Sequence, residues 1–276
     1  MKRASFLIPN SKFLIPNSMP TRPSPIGRPV SLFVTCLVDM LYPATGLAVV
    51  DVLNHLGVAV EFPMGQTCCG QPAFNGGYWR EARRVAEQFL RAFAAAEVIV
   101  TPSGSCAAMV RHEFPRLFAN DPPRLAEAER LAGITWEFTE FIVEGLGISD
   151  VGGRLPTPTT VAFHDSCHGL RRLGLGAAAR ALVGNLANAT IVAWGHGQTC
   201  CGFGGLFSVK MAGVSGAMLA EKLDAIERSG ADVIVTGDVS CLLHMNGGLA
   251  KRGQPPCVRH VADLLAEGIR ARAGAT

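Results

Sequence analysis

The first half of the chain alternates short apolar segments with longer amphipathic ones. The apolar, β-rich segments are VSLFVT at 30–35, 58–62 and EVIVT at 97–101, and the segments with helical periodicity are 43–56 and 78–96. Apolar runs of this length predict buried strands, and the longer periodic stretches predict helices. The order is therefore βαβαβ. A crossover that contains a helix joins parallel strands with a right-handed connection, so we predict a small parallel sheet covered by helices.

The second half repeats this pattern. Strands are predicted at 159–163, 190–194 and 232–236, and helices at about 172–186 and 207–229. Two further helices, at 135–147 and 261–272, are predicted to close the two halves. The predicted fold class is therefore α/β, with two duplicated small parallel-sheet (βαβαβ) domains related by an internal repeat.

Breaks in periodicity divide the chain. Residues 1–28 contain the near-duplicate segments SFLIPNS and KFLIPNS followed by Pro20, Pro23 and Pro25, and we interpret them as a disordered tail, with Met19 as an alternative start. The stretch VGGRLPTP at 151–158 is predicted to be a linker. The predicted domains are residues 29–150 and 159–276.

The cysteines follow the same duplication. The hexapeptide GQTCCG occupies 65–70 and recurs at 197–202, and VIVTPSGSC at 98–106 is matched by VIVTGDVSC at 233–241. Between the first cysteine of a half and its adjacent pair lie 31 residues in one copy and 32 in the other. The motif cysteines are Cys36, Cys68, Cys69 and Cys106 in the first half, and Cys167, Cys200, Cys201 and Cys241 in the second.

Each motif cysteine follows a predicted strand. Ligands of parallel α/β sheets bind in the loops at the carboxyl ends of the strands, so these loops should gather four thiols at one rim of each domain. Four thiolates are suited to zinc, to an iron–sulfur cluster or to redox disulfides. Adjacent side chains diverge in most backbone conformations, whereas zinc sites usually take their ligands from C-x₂₋₄-C pairs. The pattern therefore favours a multi-iron cluster, with zinc as the alternative.

Composition narrows the function classes. The net charge is +3 with no clustered Lys/Arg stripe, which argues against nucleic-acid binding. No apolar run reaches the 18 or more residues of a membrane span. Without an export signal we expect a reducing, cytoplasmic location, where nine cysteines are metal or redox groups in preference to disulfides. No G-x-G-x-x-G fingerprint follows a first strand, so NAD and flavin are not indicated.

These motifs resemble the tandem CCG-domain proteins, which include the CCG-containing component of heterodisulfide reductase, the iron–sulfur subunit of glycolate oxidase and the lactate-utilisation protein A group. Segments such as FVTCLVD (33–39), CCGQPAFNGGY (68–78) and CCGFGGLFSVKMA (200–212) are most similar to the last group. The resemblance covers about 29–270. It implies an electron-transfer subunit of a cytoplasmic complex that oxidises L-lactate to pyruvate, with other lactate-utilisation proteins as partners and an electron acceptor that the sequence does not identify.

The resemblance also implies that the eight motif cysteines are cluster ligands. The heterodisulfide reductase motif ends in CxxC, but here Met109 and His244 stand at the last cysteine position. Four ligands per site suit a conventional [4Fe–4S] cluster. Three other functions stay open: a heterodisulfide-reductase-like protein whose cluster acts on a thiol or disulfide, a cluster subunit of the glycolate-oxidase type, and a zinc-stabilised interaction module.

Four other positions have weaker claims to a role. Cys257 lies outside the repeat and is interpreted as an ordinary buried cysteine. His164 and His168 flank Cys167, where a histidine could ligate, donate a hydrogen bond to a cluster or simply pack. His260 is interpreted as structural.

Overall fold

The computed structural model describes residues 22–274. Two units follow one another along the chain, each a four-stranded sheet with its helices. The first contains β1 (Val30–Leu32), α1 (Cys36–Leu41), α2 (Pro43–His55), β2 (Val60–Glu61), α3 (Gln71–Asn75), α4 (Trp79–Ala92), β3 (Val98–Thr101), α5 (Gly104–Ala108), a π-helical turn (Met109–Glu113), α6 (Phe114–Leu117), α7 (Pro122–Ile134), β4 (Thr135–Glu137), α8 (Phe138–Glu140) and a second π-helical turn (Phe141–Gly145).

The second unit has the same order. It contains β5 (Arg154–Phe163), α9 (Cys167–Leu173), α10 (Ala177–Gly184), β6 (Ala187–Ile191), α11 (Leu206–Lys210), α12 (Ala212–Ser229), β7 (Val233–Thr236), α13 (Val239–Lys251), β8 (Val258–His260) and α14 (Val261–Ala273). The strand orders are β2-β1-β3-β4 and β6-β5-β7-β8, and every pair within these sheets is parallel. The predicted fold class is confirmed.

The fourth strand of each sheet was not part of the predicted βαβαβ pattern. Residues 135–147 were predicted to be one helix, but Thr135–Glu137 form β4 beside β3, and the helical turns begin only at Phe138. A three-residue strand is too short to show a period of two. Its extended conformation is fixed by pairing with a strand that is distant in sequence.

Two other predicted boundaries were wrong. The helix predicted at 172–186 is divided into α9 and α10, because Gly174 and Gly176 have φ values of +73° and +153°. The strand β5 begins at Arg154, inside the predicted linker, where Leu155 is buried and the register shifts before Thr159. A bulge of this kind lets a strand continue past prolines that would otherwise interrupt its ladder.

One apolar core joins the two units. Val30 and Val100 from the first sheet lie in the same buried cluster as Val161 and Val235 from the second. Helix α14 packs on α2, and Thr45 Oγ1 donates a hydrogen bond to Asp263 Oδ2 at 3.1 Å across this contact. The two repeats are therefore fixed relative to one another.

The predicted disordered tail falls largely outside the described residues, which begin at Arg22. From there the chain lies against the first unit. The Arg22 guanidinium stacks 4.1 Å from the Trp136 ring and makes a salt bridge of 3.1 Å with Glu140. Among residues 22–274, no helix has both the length and the apolar character needed to cross a membrane.

Equivalent residues meet at the junction between the repeats. Ser103 and Asp238 occupy the same position in TPSGSC and TGDVSC, and they form an antiparallel bridge with each other. Next to it, a Cβ on Gly104 would lie 3.0 Å from the Gly169 Cα, so the starts of α5 and α9 approach at a distance that only glycine permits. This contact turns the carboxyl-end rims of both sheets towards the same space.

Glu137 makes the stability of the first unit depend on pH. Its carboxylate is buried and caps α8, where Oε2 accepts hydrogen bonds from Thr139 N at 2.8 Å and Glu140 N at 3.1 Å. Burial raises the pKa of Glu137 from 4.5 to about 7. Because the folded-state pKa is the higher one, its contribution to stability is fully present below pH 4.5 and is lost as the pH rises through about 7.

We expect Glu137→Gln to weaken this pH dependence. The amide oxygen can accept the same hydrogen bonds without ionising, so up to about 3 kcal/mol of the loss between pH 4.5 and 7.5 should disappear. Urea unfolding at several pH values measures it. Glu61→Gln, at an exposed position, is the control and should keep the wild-type slope. An unchanged slope in Glu137→Gln would contradict the assignment.

Candidate metal centre

All eight motif cysteines line one cavity of about 350 Å³ between the two units. Cys36 begins α1 and Cys167 begins α9, both directly after a central strand. The adjacent pairs lie in the loops after β2 and β6, and Cys106 and Cys241 lie in the first turns of α5 and α13. The structure thus brings four thiols together at each predicted rim, and in addition it places the two rims face to face.

Within the first group, the adjacent cysteines point to different partners. Cys68 Sγ lies 3.5 Å from Cys36 Sγ, and Cys69 Sγ lies 3.4 Å from Cys106 Sγ. These separations are far longer than the roughly 2.05 Å of a disulfide bond, and all nine cysteines are free. Neighbouring thiols that diverge in this way can bind different metal ions of one cluster.

The second group has the same pairing. Cys200 interacts with Cys167, and Cys201 interacts with Cys241. In both groups one member of each adjacent pair is half-buried and the other is buried. The duplicated sequence therefore produces duplicated thiol geometry.

Hydrogen bonds prepare one thiolate in each group. The pKa of Cys68 is lowered because Cys36 and Cys69 donate to it, and the Gly70 N–H adds a hydrogen bond at 3.3 Å. The pKa of Cys200 is lowered in the same way by Cys167 and Cys201, with the Gly202 N–H at 3.4 Å. A thiolate is the form that binds metal, so each group has one thiol whose lowered pKa favours that form.

The glycine after each pair is needed for this geometry. Gly70 and Gly202 have φ values of +81° and +90°, in the region that side chains rarely adopt. A Cβ on Gly202 would also lie 2.8 Å from the Ser215 carbonyl oxygen. Both backbones thus turn sharply enough for their N–H groups to reach the thiolate two residues earlier.

The second group has an imidazole that the first lacks. A ring nitrogen of His164 and the Sγ atoms of Cys201 and Cys241 all lie within 4.8 Å of one another. Burial, and then the charge of Lys222, lower the pKa of His164 to about 3, so the ring is neutral. His168, the other flanking histidine, lies with Nδ1 3.7 Å from Cys167 Sγ.

Lys222 is a site residue that the sequence did not reveal. Its side chain is 1% exposed, and Nζ donates hydrogen bonds to the His196 and Thr199 carbonyls in the loop that leads to Cys200. It also lies 4.6 Å from the Trp194 ring centroid. A lysine in a long amphipathic helix is ordinarily a solvated one. An alignment of the two repeats places a phenylalanine at the equivalent position of the first unit. This difference is the sequence signal that distinguishes Lys222 from a surface lysine.

The CxxC-position residues lie away from the cavity. Met109 is fully buried in the aromatic core behind the first sheet. His244 packs its ring 5.7 Å from that of Phe203, with Nε2 3.4 Å from Ser215 Oγ. Neither lines the cavity, which leaves each group with four thiols facing it.

Cys257 and His260 are structural in this fold. Cys257 is half-buried beside the core of the second unit, and its carbonyl accepts a hydrogen bond from Ile234 N. His260 is fully buried. Its Nδ1 accepts from Ala262 N at 3.2 Å, so its Nε2–H donates to the Pro102 carbonyl at 3.0 Å.

Comparison with known proteins agrees with this architecture. The cysteine-rich (CCG) domain matches twice, at residues 30–111 and 161–246. Among solved structures, a hypothetical protein from Helicobacter pylori shares the fold with a TM-score of 0.52 and 13% sequence identity, over 90% of this chain and 50% of that one.

Curated relatives match most of this chain over almost their own full length. Lactate utilization protein A of an Exiguobacterium species is 48% identical over 243 residues, which are 87% of this chain and 98% of the relative. Lactate utilization protein A of Geobacillus kaustophilus is 47% identical over 236 residues, 86% and 98% of the two chains. With both cysteine-rich domains and this coverage, the chain belongs to the lactate utilization protein A family of tandem CCG-domain proteins.

Proposed function

We propose that this protein is an iron–sulfur electron-transfer subunit of a system that oxidises L-lactate to pyruvate. The observation that carries the proposal is the arrangement of eight thiols as two groups of four on one cavity. The substrate of the proposed system is inferred from the relatives, which are named lactate utilization protein A. The proposal includes a cytoplasmic location and other lactate-utilisation proteins as partners.

The donor set fits iron–sulfur clusters. In the first group Cys36, Cys68, Cys69 and Cys106 are the proposed ligands, and in the second Cys167, Cys200, Cys201 and Cys241. Four thiolates per group suit a [4Fe–4S] cluster, which supplies one-electron oxidation and reduction when bound. The divergence of Cys68 towards Cys36 and of Cys69 towards Cys106 supports several metal ions per group over a single zinc ion.

The remaining residues of the cavity shield and position these thiols. Leu37, Leu206 and Val209 contribute apolar surface around them, which lowers the local dielectric constant. The Gly70 and Gly202 N–H groups already donate to sulfur, and hydrogen bonds to sulfur are one of the means by which proteins set cluster potentials. The contact between Gly104 and Gly169 holds the two groups on one cavity, as transfer of electrons between them requires.

Anaerobic purification tests the proposal. We expect brown protein with about eight irons and eight acid-labile sulfides per chain, as two four-iron clusters require, and an EPR signal after reduction. Colourless, iron-free protein from this preparation would contradict the proposal. Two zinc ions per chain that persist through anaerobic reconstitution would support the zinc-stabilised module instead.

One alternative is a reductase whose cluster acts on a thiol or disulfide. The cavity of about 350 Å³ would then have to hold the substrate beside the clusters bound by the eight thiols. Addition of a small disulfide to the reduced protein would then change the EPR signal, whereas an electron-transfer subunit should show no such change.

A further inference from the structure

The two thiol groups differ in what lies behind them, and the duplicated fold makes the comparison residue by residue. Phe33 N donates to the Val100 carbonyl at 2.9 Å, and His164 N donates to the Val235 carbonyl at 2.8 Å. Each residue stands three positions before the first cysteine of its group. Phe33 in the first unit is therefore equivalent to His164 in the second.

The glycines that follow the adjacent cysteines identify a second pair of equivalent residues. Gly70 faces the Ala82 carbonyl, and Gly202 faces the Ser215 carbonyl. Seven residues later on the same helices stand Phe89 and Lys222. Both side chains are buried, at 0% and 1% exposed, so the equivalent interior position holds a benzyl group in one unit and an ammonium group in the other.

In the first unit these two positions form an apolar wall. The rings of Phe33 and Phe89 meet edge to face with centroids 5.0 Å apart, in the same buried cluster as Cys69 and Cys106. Both rings also pack on further buried rings, Phe33 on Phe93 and Phe89 on Phe114. The first thiol group is therefore backed by hydrocarbon.

In the second unit the same positions are polar. His164 is 2% exposed, and neither ring nitrogen has a hydrogen-bond partner among the described residues; the Gly197 backbone is near enough to affect the ring without a hydrogen bond of normal geometry. Lys222 has no carboxylate within salt-bridge distance in residues 22–274. Burial lowers the pKa of Lys222 to about 8, and the acidic groups that oppose this are the cysteines of the second thiol group and Asp165.

A buried ammonium without a paired carboxylate is costly, and an unpaired buried imidazole is costly as well. Both costs are offset if the second thiol group carries a negative charge. An anionic cluster bound there would supply this charge to Lys222 and a sulfur acceptor to the His164 N–H.

We propose that His164 and Lys222 give the second cluster a higher reduction potential than the first. This inference rests on the proposed function and goes beyond it. Positive charge and hydrogen-bond donors stabilise the more negative, reduced state of a cluster, whereas the Phe33 and Phe89 wall offers neither. An electron shared between the two sites therefore resides on the second.

Potentiometric titration of the anaerobically purified full chain, followed by EPR, tests the proposal. The wild type should show two potentials, separated by at least about 59 mV, which is tenfold in the one-electron equilibrium constant. The higher potential should vanish in Cys241→Ser and persist in Cys106→Ser. Two equal potentials, or loss of the higher one in Cys106→Ser, would overturn the inference.

Variants at Lys222 assign the cause. Lys222→Met should lower only the higher potential, by about 59 mV or more, which is again tenfold in the equilibrium constant. Lys222→Arg keeps the positive charge and should therefore keep the wild-type potential. His164→Phe with Lys222→Phe copies the first unit and should bring the two potentials together. Lys251→Met removes an exposed lysine and is the matched control, with no expected shift. A higher potential that persists unchanged in Lys222→Met would overturn the role of the lysine.

These results are separable from the proposed function. A chain without iron would contradict the proposed function itself. A chain with two clusters of equal potential would retain that function and contradict only the asymmetry.

Discussion

Cys106→Ser is expected to empty the first site and leave the second loaded, which reduces iron and sulfide to about half of the wild-type content. Cys106 is buried in the first turn of α5, 3.4 Å from Cys69, so no other thiol can move into its place without opening the helix. Serine is a poor substitute because its hydroxyl stays protonated and iron in clusters is held by thiolate. Iron and acid-labile sulfide analysis after anaerobic purification gives the result.

The duplicated fold provides the controls for this experiment. Cys241→Ser should remove the other half of the iron, and the double variant should be iron-free. Cys257→Ser should keep the full content, since Cys257 is not among the cavity-lining residues. Loss of iron in Cys257→Ser together with full loading of Cys106→Ser would contradict the proposed ligand set.

Asp238→Ala is expected to destabilise the whole protein by about 4 kcal/mol, because one buried and one half-buried N–H donor lose their acceptor at a cost of about 1–3 kcal/mol each and a helix loses its cap. The Asp238 side chain is 1% exposed and joins the two units. Oδ2 accepts from Ser105 N at 2.9 Å in the first unit, and Oδ1 accepts from Ser240 N at 3.1 Å in the second.

Urea unfolding of the metal-free protein measures this loss. Asp232→Ala is a matched control, because its carboxylate also accepts a backbone hydrogen bond, from Thr160 N at 2.7 Å, but at the surface. We expect it to destabilise the protein much less than Asp238→Ala does, because water replaces the lost hydrogen bond at the surface. Asp238→Ser, which copies the equivalent Ser103, should recover part of the loss. Equal effects of Asp238→Ala and Asp232→Ala would contradict the role of Asp238 at the junction.

Asp238→Ala is also expected to affect both proposed metal sites at once. The helices whose first turns it stabilises carry Cys106 and Cys241, one from each group. Iron should therefore fall in both sites together, unlike the one-sided loss in Cys106→Ser.

The amino-acid sequence by itself determined the duplicated α/β fold and the position of every motif cysteine at the end of a strand. Both are local properties. Apolar strands and amphipathic helices show their period over a few residues, and a thiol that directly follows a parallel strand must lie at the carboxyl-end rim. The recurrence of GQTCCG, and the match between VIVTPSGSC and VIVTGDVSC, made this pattern visible without any knowledge of contacts.

The shorter elements could not be predicted from the sequence, because their conformation depends on residues that are distant along the chain. The strand Thr135–Glu137 was interpreted as the start of a helix, and the break between α9 and α10 was missed. Three residues carry no detectable period, and a glycine reveals its positive φ only when the surrounding chain requires it. The same holds for Leu155, whose burial draws the predicted linker into β5.

Only the tertiary structure decided how the two groups of thiols are related. The contacts of Ser103 with Asp238 and of Gly104 with Gly169 turn two separate rims onto one cavity, and no local pattern encodes that meeting. Tertiary packing also placed Lys222 in the interior, where the sequence predicted an ordinary surface lysine of an amphipathic helix. The sequence thus specified which residues could bind metal, whereas long-range packing set their mutual orientation and the charge around them.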